Sequence, residues 1–125
     1  MKSPPSPVLP LCTAQVIAAV AGTWLSLGEI ATRGFDYLTV WVEFTQGTST
    51  ANQIQILSLR ESGGTGFVME TSGSYQKTLG NADIDIVYTF ELDDSFPFVD
   101  FQSVAAALGV TVGLLTIHYS LGNRS

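Results

Sequence analysis

Phe35-Asp36-Tyr37-Leu38-Thr39-Val40-Trp41-Val42-Glu43-Phe44-Thr45 decides the fold. Leu38, Val40, Val42 and Phe44 fall on one parity; Tyr37, Thr39, Trp41 and Glu43 fall on the other. Successive side chains of a strand point to opposite faces, so this alternation of β-branched and aromatic residues predicts a strand with one buried face. The second face is only half polar. Gln46-Gly47-Thr48-Ser49-Thr50 reads as a turn, and Gln53 to Arg60 as the partner strand. There the apolar parity shifts, with Ile54 and Ile56 on one phase and Leu57 and Leu59 on the other. A β-bulge between Ile56 and Leu57, or burial of both faces, accounts for it equally well.

The same reading extends along the chain. Asp83 to Leu92 alternates, with Ile84, Ile86, Tyr88, Phe90 and Leu92 inward and Asp83, Asp85, Thr89 and Glu91 outward. Phe98–Val104 and Val110–Tyr119 are predicted as the last two strands, joined through Ala105-Ala106-Ala107-Leu108-Gly109. Phe67 to Glu70 reads as a short strand after the glycine-rich turn Glu61 to Gly66, and Ser72 to Ala82 as a polar loop. Thr13 to Ala21 permits helix or strand, alanine favouring the first and Thr, Val and Ile the second; the strands that follow decide for strand. Thr23 to Leu27 is a short run ended by Gly28. Seven or eight short strands separated by turn signals, with no βαβ pattern, predict an all-β protein. The expected architecture is an antiparallel β-sandwich, jelly-roll or Ig-like, carrying an extended Pro-rich N-terminal arm.

Four of the chain's 5 prolines lie in Lys2-Ser3-Pro4-Pro5-Ser6-Pro7-Val8-Leu9-Pro10. Proline fixes φ and removes a donor, so this stretch is neither helix nor central strand. Near polyproline II, at ~3.1 Å per residue, it reaches about 28 Å. Residues 1–12 are thus read as an arm and 13–125 as the sandwich domain. Lys2 and the apolar run to Ala21 mimic a secretory signal, but the crowded prolines and Gln15 argue for retention.

A chain of 125 residues forms one domain with a real core. Its single cysteine, Cys12, forms no internal disulfide and reads as a small buried hydrophobe. Net charge is −6 and only 13% of residues are charged. Binding to nucleic acid requires clustered positive charge. The five basic residues Lys2, Arg33, Arg60, Lys77 and Arg124 are scattered, so nucleic acid and anionic membranes are excluded as partners. No apolar run reaches the ~18–20 residues of a membrane helix.

Catalytic equipment is sparse. His118 is the sole histidine, in the apolar run Val110 to Tyr119. One His and one Cys exclude the ordinary zinc sites, and no signature supports a Cys–His pair. Asp83, Asp85, Glu91, Asp93, Asp94 and Asp100 cluster in sequence without the EF-hand spacing. They read as a solvated strand face and an Asp-rich turn, with a weak Ca²⁺ site at Asp93 and Asp94 as the competing reading. Trp24, Trp41 and Tyr37 suit sugar stacking or, more ordinarily, a core or subunit interface. No enzyme, cofactor or metal role is expected.

The stretch Phe35 to Thr45, the Gly47-Thr48-Ser49-Thr50 turn, the strand Gln53 to Arg60 with its Ser62-Gly63-Gly64 turn, and the closing Gly113 to Gly122 resemble the small β-sandwich capsid decoration, or cement, proteins of tailed bacteriophages. The likeness spans Phe35 to Gly122 and is one of pattern, shared with tail and neck components. It implies a virion protein on the capsid surface: a homo-oligomer, specifically a trimer at capsid three-fold axes, whose arms clamp neighbouring major capsid protein subunits without catalysis. Pro4, Pro5, Pro7, Val8, Leu9 and Pro10 of the arm, with Trp24 and Trp41, are the expected contact residues. A carbohydrate- or ligand-binding sandwich module is the alternative.

Overall fold

A computed structural model describes residues 6–68, 75–93 and 95–123. Among these there is no helix, and nine strands form two antiparallel sheets. They are β1 (Leu9–Val16), β2 (Leu25–Ala31), β3 (Tyr37–Thr45), β4 (Asn52–Leu59), β5 (Gly66–Phe67), β6 (Gln76–Gly80), β7 (Ile84–Glu91), β8 (Phe98–Val104) and β9 (Leu114–Gly122). One sheet has the order β1-β9-β3-β7 and the other β2-β8-β4-β5, with β6 also pairing β4. The chain crosses between sheets at almost every connection.

The alternation read at Phe35–Thr45 is realised in β3. Leu38, Val40, Val42 and Phe44 are buried, while Tyr37, Thr39, Trp41 and Glu43 face outward. From the same sheet β7 adds Phe90, and β9 adds Leu115, Ile117 and Leu121. Ile54 and Ile56 of β4, Val99 and Phe101 of β8, Ile30 of β2 and Leu79 of β6 face them from the other sheet. Phe90 and Phe101 meet edge-to-face across the core, ring centroids 6.5 Å apart. Each such buried side chain stabilises the fold by about 1.5–3 kcal/mol relative to exposure.

The parity shift in β4 has its cause in the layer outside the sheet. The β4–β8 register runs unbroken from Gln53 to Leu59, so there is no bulge there. Instead the chain after β4 folds back over the outer face, and a Cβ at Gly66 would stand 2.7 Å from Leu57 Cδ1. Phe67 then packs on Phe96 at 5.8 Å, with Arg60 over its ring. Both faces of β4 are covered.

β9 runs Leu114–Gly122 rather than Val110–Tyr119, and β5 is Gly66–Phe67 where the sequence reading has a strand from Phe67 to Glu70, Met69 and Glu70 lying outside the described residues. Three further elements differ from the sequence reading. β1 starts at Leu9, four residues before Thr13, and ends at Val16. It is an edge strand, where Pro10 needs no ladder donor. β2 does not end at Gly28 but passes through it, with a register shift between Ser26 and Gly28. Gly28 has φ 146°, and a Cβ there would stand 3.2 Å from Leu11 Cδ1. β6 occupies the stretch read as loop; only Leu79 in it is buried, too little apolar signal to mark a strand.

Candidate functional site

The two nucleophile-and-base candidates lie on opposite faces of one sheet. Cys12 pairs with Ile117, whose side chain is in the core, whereas the neighbouring His118 points outward and pairs with Pro10. The Cys12 Sγ–H donates to the Leu115 carbonyl at 3.7 Å, and burial pushes its thiol above the ordinary value. A thiol held protonated is a poor nucleophile.

The carboxylates disperse. Asp83 accepts the Gln46 N–H at 2.8 Å. Asp93 closes a turn by accepting the Ser95 N–H at 2.7 Å, and these hydrogen bonds hold its carboxyl below the usual range. Asp100 lies on the other sheet. Among the described residues no group of three or more His, Cys, Asp or Glu is placed to hold a metal ion; Asp94 lies outside them.

Three surfaces remain. On the outer face of the β2-β8-β4 sheet a polar ladder crosses four strands. Ser26 Oγ–H donates to Asp100 (2.6 Å), Gln102 donates to Asp100 (2.8 Å), Gln55 to Gln102 (2.6 Å) and Gln76 to Gln55 (3.0 Å). Beside it a groove of about 350 Å³ is bounded by Glu29, Leu57, Leu59 and the Gly63–Gly66 turn. Glu29 holds that turn in place by accepting from Ser62 Oγ–H and Gly63 N–H.

The outer face of the β1-β9-β3-β7 sheet is more apolar. Register places Pro10, His118, Trp41 and Val87 in one row across all four strands. Val87 is 53% exposed. The next row sets Glu43 directly opposite Asp85. Between the rows is a groove of about 340 Å³ lined by Trp41, Val42, Glu43, Asp85, Ile86 and Val87.

The third surface is one end of the sandwich. Backbone hydrogen bonds Ile17–Gly113, Gly22–Ala105, Thr48–Thr111 and Thr50–Ala107, 2.8–2.9 Å long, stitch the β1–β2, β3–β4 and β8–β9 loops together. No charged residue occurs in 12–28, 44–59 or 101–117. Val20 and Val110 stand 61% and 96% exposed at the loop tips.

The residues singled out in the sequence are thus divided. Pro10 and Trp41 share one face, with His118 between them; Trp24, half-buried, immediately precedes β2 in the other sheet. Pro7 and Val8 are exposed ahead of β1, Leu9 begins it, and Pro4 and Pro5 lie outside the described residues. From Ser6 onward the chain lies along its own β9, pinned by hydrogen bonds to Leu121. Val87, Val20 and Val110 were not singled out. Val87 has a sequence signal, because Ile86-Val87-Tyr88 interrupts the alternation with an apolar residue on the outward parity. No helix among the described residues is long and apolar enough to cross a membrane. Comparison with protein-family models, curated proteins and solved structures finds no match.

Proposed function

We propose that this chain is a structural virion protein, a decoration or cement protein that binds the outer capsid surface and stabilises the shell. Its partner is the major capsid protein and its working state a homo-oligomer, with a trimer expected. The fold that goes with this reading is a jelly roll. The observation that supports it is the strand order, β1-β9-β3-β7 in one sheet and β2-β8-β4 with β5 and β6 in the other, which fits the two Greek keys of a jelly roll, an architecture of viral capsid and lectin domains. The charge-free, valine-tipped loop end supports the same reading, since apolar surface exposed at one place marks protein contact. So does the dispersal of Cys12, His118 and the carboxylates.

Density-gradient fractionation of a producing lysate tests it. The chain should sediment with capsid particles, and particles stripped of it should regain heat resistance when it is added back. Recovery only among free proteins, with no effect on particle stability, overturns the proposal. Deleting residues 1–5 removes the part of the expected 1–12 arm that precedes Ser6 and keeps all of β1; this truncation should fold yet bind the shell weakly.

A second reading, a carbohydrate-binding module, draws on Trp41 beside the carboxylate-rimmed groove. A glycan panel read by tryptophan fluorescence discriminates the two, and no response disposes of the second.

A further inference from the structure

We propose that the groove beside Trp41, together with the open edge of β7, binds an extended basic segment of another protein, which adds to the sheet as a strand and lays an arginine or lysine side chain between Trp41, Glu43 and Asp85. This stands on the groove and the edge alone and is independent of the capsid reading.

β7 is the longest regular edge among the described residues. Among the described residues it pairs with β3 alone, through eight residue pairs without a register shift, and it contains no proline; the stretch offered to a partner is residues 84–90. The other edges carry features that discourage a further strand. β1 has Pro10 and two register shifts, β2 has its shift at Gly28, β5 is two residues long, and β6 is five residues long with a register shift against Asn52 and Gln53. An edge with free N–H and C=O groups is the template on which extended peptides add, with alternate side chains giving specificity.

The face beside this edge selects the charge. Glu43 and Asp85 are directly opposed across β3 and β7, both exposed. Like charges so placed repel, and no hydrogen bond or ion pair among the described residues engages either carboxylate. Trp41 and Val87, one row along, supply an apolar wall. An arginine fits both halves: its stem lies along Val87, its planar guanidinium stacks on the indole, and its donors meet the carboxylates. From a strand added to β7 the side chain has to cross one strand spacing, about 4.8 Å, to reach the groove. Lys77 does not supply this charge. It sits over the rings of Tyr88 and Phe90, which point to the opposite side of β7.

A second copy is a poor occupant. The outward side chains of β7 are Asp85, Val87, Thr89 and Glu91. An antiparallel β7–β7 pair centred on Val87 would set Asp83 beside Glu91 of the other copy, and β7 itself contains no basic residue.

The probe is a capped nine-residue peptide alternating Arg with Val and Thr, and a control with Glu in place of Arg. The full-length chain carrying Trp24→Phe reports on Trp41 alone. The Arg peptide should shift Trp41 emission and slow amide exchange along β7, and binding should weaken with salt. The double variant E43Q/D85N should bind at least about tenfold more weakly, without a lower unfolding midpoint, since it removes a repulsion. Failure of millimolar Arg peptide to protect β7, equal binding of the Glu peptide, undiminished binding by E43Q/D85N, or protection of β1 or β2 instead would each overturn the proposal.

Discussion

Ser6 and Leu121 exchange two hydrogen bonds: the Ser6 N–H donates to the Leu121 carbonyl at 2.9 Å, and the Leu121 N–H donates to Ser6 Oγ at 2.7 Å. The second bond uses a side chain where a strand would use backbone. Leu121 is 6% exposed, so its N–H has little access to water. The proline-rich stretch therefore becomes part of the domain at Ser6, ahead of β1.

Ser6→Ala should lower stability by about 1–2 kcal/mol, the cost of an N–H left without its partner. Urea denaturation measures it. Ser6→Thr, which keeps the hydroxyl, should restore most of the loss. If alanine and threonine behave alike, the hydroxyl does not anchor the segment.

The polar ladder on the second sheet makes a pairwise prediction. Gln55 and Gln102 are register partners joined at 2.6 Å, and each also bonds a further neighbour. A double-mutant cycle with Gln55→Ala and Gln102→Ala should give a coupling energy of about 0.5–1.5 kcal/mol. Strict additivity would mean that the ladder is solvated rather than structural.

Cys12 predicts alkaline behaviour. Burial raises its thiol above the ordinary value of 9.0, and the Ile117 N–H offsets this only in part. Between the unfolded and folded values the unfolded chain has lost its proton while the native one keeps it, so the native state binds more protons and stability falls as pH rises. The contribution is complete below pH 9 and lost above it. Tyr88, raised from 10.0 by burial, acts in the same direction at higher pH. Cys12→Ala should flatten the stability profile just above pH 9 and leave the Tyr88 limb in place. Disulfide-exchange reagents should label native Cys12 slowly and the unfolded chain rapidly.

The success of the sequence reading follows burial asymmetry. β3 and β7 were legible because one face of each meets the core and the other meets water, so apolar residues recur at every second position. β4 was legible as a strand but ambiguous in phase, because the Gly63–Gly66 turn covers its outer face. Pro10 argued against a strand that begins at Leu9, yet an unpaired edge has no use for the missing donor. β6 holds a single buried residue and left no pattern. The candidate surfaces were the least legible part. Local spacing sets Trp41 beside Glu43 and Asp85 beside Val87, but the two pairs meet only through the β3–β7 register, which no local spacing encodes.

The loop end ties fold to proposed function. Val110 is 96% exposed and Val20 61%, so neither contributes appreciably to the core. Surface substitutions of this kind ordinarily change stability by less than about 0.5 kcal/mol. Val110→Glu and Val20→Glu should therefore fold with unchanged unfolding midpoints. Each places a charge where the chain has none across three adjoining loops. Burying an unpaired carboxylate against a protein partner is costly, so the doubly substituted chain should bind stripped particles at least about tenfold more weakly. Val110→Ala, which removes area without adding charge, should have a much smaller effect. Full binding by the double glutamate variant would assign the shell contact to another surface, with the Pro10–His118–Trp41–Val87 row next to be tested by Val87→Glu.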